Sequence, residues 1–168
     1  MITAERIIKL YNMKLLPEEG GYYTETYRSK EIIDKSSLHD RYGSDKAHST
    51  AIFYLLTPET QSYMHRIKTD EVFHFYLGDP VQMVLLFPDG TSKVLFLGHD
   101  MQAGQFVQVL VPAGIWQGAY LLEGGNFAFM GTTVAPGFDF SDHEMGDRQT
   151  LVDLYPSHAD TITRLTPP

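Results

Sequence analysis

Cysteine is absent from this chain of 168 residues. That excludes disulfides and thiolate metal sites together, and it fits a reducing compartment. Positive charge is scarce: 13 Lys and Arg stand against 21 Asp and Glu, a net charge of −8. Such a balance lacks the basic footprint that nucleic-acid phosphates require. No window approaches the roughly 18 consecutive apolar residues of a membrane span. The opening MITAERIIKLYNM carries Glu5, Arg6 and Lys9 where a secretory leader would be apolar. The expected setting is therefore cytoplasmic, with no nucleic acid and no membrane as partner. Hydrophobic residues make up 43% and charged residues 20%, which suits one globular domain over residues 1–168.

What is present is mostly β pattern. Thr3 followed by AERIIKLY reads as a short capped helix, ended by Pro17 and Gly20-Gly21. From Tyr22 the period changes to two, and YYTETYRS reads as a half-buried strand. Residues 30–49 are polar and turn-rich and are expected to form a long loop. Runs at 49–56, 61–67, 71–77, 81–87, 92–98, 105–111, 115–122 and 126–134 read as further strands, separated by turn residues such as Pro88-Asp89-Gly90. Eight or nine short strands in this rhythm predict an antiparallel sandwich or barrel. Asp147 to Tyr155 reads as one short helix, and the acid-rich segment with Asp139, Asp142 and Glu144 reads as solvated surface.

The chemistry concentrates in HRIKTDEVFHFYLGD, from His65 to Asp79. Alternation along strands puts His65 and Ile67 on one face, and Glu71, Phe73 and Phe75 on one face of the next strand. His65 and Glu71 thus converge on one interior, while His74 points away. An inward carboxylate among aromatic residues is costly without a partner, which marks Glu71 as a candidate for chemistry.

The spacing of His65, Ile67, Glu71 and Gly78 resembles the first motif of the cupins. Gly104 followed by VPAGIWQ resembles the second, with Gln117 where the motif carries histidine. Longer strings, among them GGYYTETYRS, HRIKTDEVFHFYLGDP, VPAGIWQGA and TVAPGFDFSD, are similar to the cupin family often labelled "sugar epimerase-like". The resemblance implies an all-β fold: a cupin-type double-stranded β-helix, or jelly-roll barrel, with a short N-terminal helix and a short C-terminal helix. It also implies a homodimer and a small-molecule ligand in the barrel mouth.

A metal-binding cupin offers three histidines and one glutamate. Here isoleucine and glutamine replace two of them, so the expectation is no cofactor, or a weak divalent metal held by His65, Glu71 and Gln117. Without a metal, His65 suits a general base and Glu71 the carboxylate that orients it. Gln117, Phe73, Phe75 and Tyr54 are the expected substrate-binding residues, and several tyrosines are open as the acid. Arg28 and Arg66 are scattered, so no cationic cluster for a sugar diphosphate is evident. The expected function is an isomerase or epimerase acting on a small, carbohydrate-like molecule. A non-catalytic ligand-binding cupin is the alternative, and a metal-dependent cupin such as a dioxygenase is the third.

Overall fold

The computed structural model describes residues 2–167. Helix α1 (Ala4–Leu10) starts where the Thr3 hydroxyl accepts the Arg6 N–H at 3.4 Å. Short β1 (Lys14–Leu15) leads into β2 (Tyr22–Arg28). Next come the two-residue strands β3 (Ile32–Ile33) and β4 (Lys46–Ala47), joined by a 3-10 turn at Lys35–Ser37. The barrel strands are β5 (Thr50–Leu56), β6 (Gln61–Ile67), β7 (Glu71–Gly78), β8 (Val81–Leu86) and β9 (Ser92–Leu97). They continue with β10 (Gln108–Val111), β11 (Trp116–Leu121) and β12 (Ala128–Val134). Short β13 (His143–Met145), α2 (Arg148–Leu154) and α3 (Ala159–Arg164) complete the chain.

Two antiparallel sheets face one another. One has the order β1-β2-β5-β12-β7-β10 and the other β13-β6-β11-β8-β9. The antiparallel architecture expected from strand rhythm, and the jelly roll implied by the cupin resemblance, are observed: the chain is mostly β with short helices. Between the sheets lies the main core, which includes Tyr54, Leu56, Phe73, Phe75, Met83, Leu97 and Met130. Helix α1 covers the outer side of the six-stranded sheet through Ile7 against Leu55 and Phe129. Helices α2 and α3 cover the five-stranded sheet, packing Leu151, Ile162 and Leu165 on Met64, Val84 and Leu86.

That outer cover explains a break in alternation. Met64 and His65 are neighbours and both are buried, because Met64 enters the helix-covered layer and His65 enters the barrel. A register shift between β11 and β6 lies beside them: Gln117 pairs with His65, whereas Ala119 pairs with Ser62.

Three expectations need correction. Residues 30–49 are not a continuous loop, since β3 and β4 pair within them. The polar lettering there hid a ladder too short to show periodicity. The strand expected over 105–111 is regular only from Gln108. A second C-terminal helix, α3, follows the expected one, and its Ile162 is fully buried.

Candidate active site

A cavity of about 410 Å³ opens between the sheets, within the usual range for small-molecule sites. Strand β6 supplies His65 and Ile67, and β7 on the facing sheet supplies Glu71 and Phe73. Strands β2, β5 and β12 complete the walls with Tyr23, Ile52, Tyr54 and Thr132. Phe138, Asp139 and Phe140 form the rim.

His65 is 2% exposed. Its Nδ1–H donates to the Tyr63 carbonyl at 2.7 Å. This fixes the tautomer so that a neutral ring keeps its lone pair on Nε2. Sequence spacing suggested Glu71 as the group that orients this ring, but the backbone of Tyr63 holds it instead. The group nearest Nε2 is Glu19, whose Oε2 lies at 3.7 Å. The same oxygen is 3.3 Å from Nε2 of His143, and the two imidazoles lie 5.1 Å apart, inclined by 22°.

Glu19 reaches the site because its turn is tight. Gly20 and Gly21 have φ of 86° and 72°, and a Cβ on Gly21 would meet the Tyr54 hydroxyl at 2.5 Å. Only glycine tolerates both the conformation and the approach. The Tyr54 hydroxyl donates to the Gly20 carbonyl at 2.9 Å, and the Tyr63 N–H donates to the Glu19 carbonyl at 2.8 Å. The Ser62 hydroxyl donates to Glu19 Oε1 at 3.2 Å.

The two buried carboxyls are perturbed in opposite directions. Burial pushes Glu19 up, but the charge of His65 and the contacts of His143 and Ser62 outweigh it, and its pKa is lowered. Burial also pushes Glu71 up; there the charge of Glu19 adds to it, His65, Gln117 and Thr132 do not compensate, and its pKa is raised. Carboxyls separated in this way are suited to different proton roles.

Gln117 is buried, and its Nε2–H donates to Glu71 Oε2 at 2.7 Å. Its Oε1 has no partner. Phe73 lines the cavity, as does Tyr54, whose hydroxyl is engaged by Gly20. Phe75 does not line it; it lies in the core with its ring against His99 at 5.0 Å. His74 is on the outer side, with its ring between Thr133 at 3.1 Å and Gln108 at 3.2 Å. Trp116 also packs outside, under the Arg66 guanidinium at 4.4 Å.

The acid-rich segment is not uniformly solvated surface. Asp142 is buried, and its Oδ2 meets the buried Lys46 Nζ at 2.6 Å. Lys68 approaches the other oxygen at 3.7 Å. This ion pair ties the rim segment to β4 and sets the start of β13, from which His143 projects. Glu19 and His143 had no sequence signal of their own. One lies in a proline- and glycine-flanked turn, and the other among acids that read as surface.

The usual cupin metal position does not fit these residues. Ile67 has no donor atom, and Gln117 turns its amide nitrogen to Glu71. The donor set of Glu19, His65 and His143 fits a divalent cation better, since one ligand atom from each lies within 4.8 Å of the others.

The family model described as Cupin superfamily (DUF985) matches residues 5–146. A yeast protein named Uncharacterized protein YML079W, from Saccharomyces cerevisiae, is 33% identical over 133 residues, which is 74% of this chain and 66% of the yeast protein. The chain thus spans about two thirds of that relative's length. Among solved structures, protein SO0799 from Shewanella oneidensis is 31% identical with a TM-score of 0.88, covering 100% of this chain and 99% of that one. A hypothetical protein from Leishmania major is 29% identical with a TM-score of 0.87, covering 98% and 99%. Oxalate decarboxylase from Bacillus subtilis, at 15% identity and a TM-score of 0.54 over 92% of this chain and 37% of its own, shares the fold alone. With most of its length matched by the family model and the same fold in relatives near 30% identity, the chain belongs to the Cupin superfamily (DUF985).

Proposed function

We propose that this cupin is an isomerase or epimerase that moves a carbon-bound proton of a small polyhydroxylated molecule. One observation carries the reading. A buried histidine, its Nδ1–H held by the Tyr63 carbonyl, lines one sheet of the cavity, and a carboxyl whose pKa is raised lines the opposite sheet. An epimerase needs a base on one side of the reacting carbon and an acid on the other. A module that only stores a ligand has no need of a proton donor there.

In this reading His65 Nε2 accepts the proton. Glu19 stabilises the imidazolium that forms, a role the sequence had suggested for Glu71. Glu71 returns a proton from the facing wall, held in reach by Gln117. Tyr54 is a wall residue, because its hydroxyl is buried and bonded to backbone. Should the protein carry a divalent metal, Glu19, His65 and His143 would hold it, and it would supply Lewis acidity at the same end of the cavity.

The test begins with a ligand carried through purification and identified by mass spectrometry. Incubated in D2O with the protein, that ligand should exchange one carbon-bound hydrogen, followed by NMR. His65→Asn should slow the exchange by about 10²- to 10⁴-fold, the usual effect of losing a general base. A wild-type protein that binds its ligand without any exchange would make this a binding module.

The reading includes a homodimer. Strand β10 is an open sheet edge, and Leu110, Phe106 and Val107 beside it are exposed. Open edges with apolar flanks favour pairing. Light scattering should give twice the chain mass for the wild type and the chain mass for Leu110→Glu. A concentration-independent monomer for both would remove the dimer.

A further inference from the structure

The carboxylates of Glu19, Glu25 and Asp139 and the carboxyl of Glu71 line the cavity, against the Arg28 guanidinium and the His65 imidazole. That guanidinium is already engaged. Its Nε and Nη2 hydrogens donate to the Glu25 carboxylate at 2.7–3.2 Å, and Nη1 and Nη2 donate to the Phe138 carbonyl at 3.2 Å. Lys46, behind the rim, is buried against Asp142. The His65 imidazole, which also lines the cavity, lies beside Glu19 Oε2 at 3.7 Å. Among the described residues, each lining group that can carry positive charge thus already faces a carboxylate, and neither is left to receive a phosphate or a carboxylate.

The hydrogen-bonding balance points the same way. Glu19 presents carboxylate oxygens to the cavity, while the Tyr54 hydroxyl donates to backbone. The Gln117 Oε1 is also buried without a donor, but Gln117 lies outside the cavity lining. A ligand bearing N–H or O–H groups suits this end of the cavity, where the Glu19 carboxylate accepts and the Tyr54 hydroxyl is already committed to backbone. At the rim, Asp139 is held below the usual carboxylate range by the Ser141 side chain and N–H. It therefore adds a negative charge beside the aromatic faces of Phe138 and Phe140, which also favour a cation.

We infer that the cavity takes a donor-rich polar molecule bearing a protonated amine and no anionic group. Glu25 is the residue that sets this specificity, by masking Arg28. The inference rests on reading the cavity as the ligand site, and it does not depend on whether that ligand is turned over.

Matched probes on several hexose scaffolds test it: the amino sugar, the parent sugar, the 6-phosphate and the uronic acid, compared by ligand-observed NMR and calorimetry. The amine should bind at least about tenfold more tightly than its neutral parent, the effect of one charge-assisted hydrogen bond. The phosphate and the uronate should bind more weakly than either. Asp139→Asn should remove most of the advantage of the amine. Glu123→Gln, which removes an exposed acid outside the cavity lining, should not, and this separates the site from general attraction to an acidic protein.

Glu25→Gln, which unmasks Arg28, should raise phosphate affinity about tenfold for the same reason. Binding of the neutral sugar or the phosphate as tightly as the amine on every scaffold would overturn the inference and leave the cavity reading intact. Silence from all probes, with both wild type and Glu25→Gln, would overturn the two together.

Discussion

Lys46→Met should destabilise the protein by about 3–5 kcal/mol, the usual effect of removing one partner from a buried ion pair. The Lys46 and Asp142 side chains are 1% and 2% exposed and meet at 2.6 Å. Without the ammonium, Asp142 keeps only Lys68, at 3.7 Å and partly in solvent. A buried carboxylate left without a close partner disfavours the folded state. Urea denaturation followed by circular dichroism measures the loss. At about 2–4 °C per kcal/mol for a chain of this size, the melting temperature should also fall markedly. The double change Lys46→Met with Asp142→Leu should recover most of the loss, because a packed apolar pair can replace a buried ionic one. A single-variant loss below about 1 kcal/mol, the scale of an exposed ion pair, would show that water reaches the pair.

Glu71→Gln should slow proton transfer by about 10²- to 10⁴-fold while raising the melting temperature at pH 8. Function falls because an amide has no proton to return to the substrate, and loss of a general acid costs about 10²- to 10⁴-fold. Stability rises for a separate reason. The Glu71 pKa is raised in the folded protein, so the fold favours its protonated form. Below the ordinary value of 4.5 the carboxyl is neutral whether folded or not, and the substitution gains nothing from titration. As pH climbs above that value the unfolded chain ionises first, and the wild type loses stability that the amide does not.

Glu19→Gln should behave in the opposite sense. The pKa of Glu19 is lowered, so its contribution is present above 4.5 and is lost as pH falls. The variant should be less stable than wild type near neutrality, with the gap closing in acid. Thermal melts across pH 4–8 separate the two carboxyls. Parallel curves for both variants would show that their environments are not distinct.

Much of the frame was legible in the sequence because period-two patterning and turn chemistry are local. Pro88-Asp89-Gly90 marks the β8–β9 hairpin, and Thr3 and Asp147 cap the helices that begin after them. His65 and Glu71 were legible because they lie six residues apart in one patterned stretch. Glu19 and His143 were not, since the contact between them joins residues distant in the chain. Nothing near either residue distinguishes a buried side chain from a solvated one. Lys46 and Asp142 misled for the same reason: charge in a polar segment reads as surface until a distant partner is known. Phe75 has the right strand face but lies one alternation too far along β7, in the packed part of the barrel.

The anchoring of the rim has a kinetic consequence. Phe138 and Phe140 shape the cavity entrance, and Asp142, two residues on, is tied down by Lys46. A segment fastened in this way cannot swing open without breaking the ion pair, so it acts as a fixed collar. The movable part of the entrance is the Arg28–Glu25 pair, whose side chains are 44% and 41% exposed. Exposed side chains reorient in picoseconds to nanoseconds, whereas loop and domain opening takes microseconds to milliseconds. Ligand entry should therefore be limited by encounter and dehydration. Stopped-flow association should then be a single phase whose rate grows linearly with ligand concentration and shows no plateau.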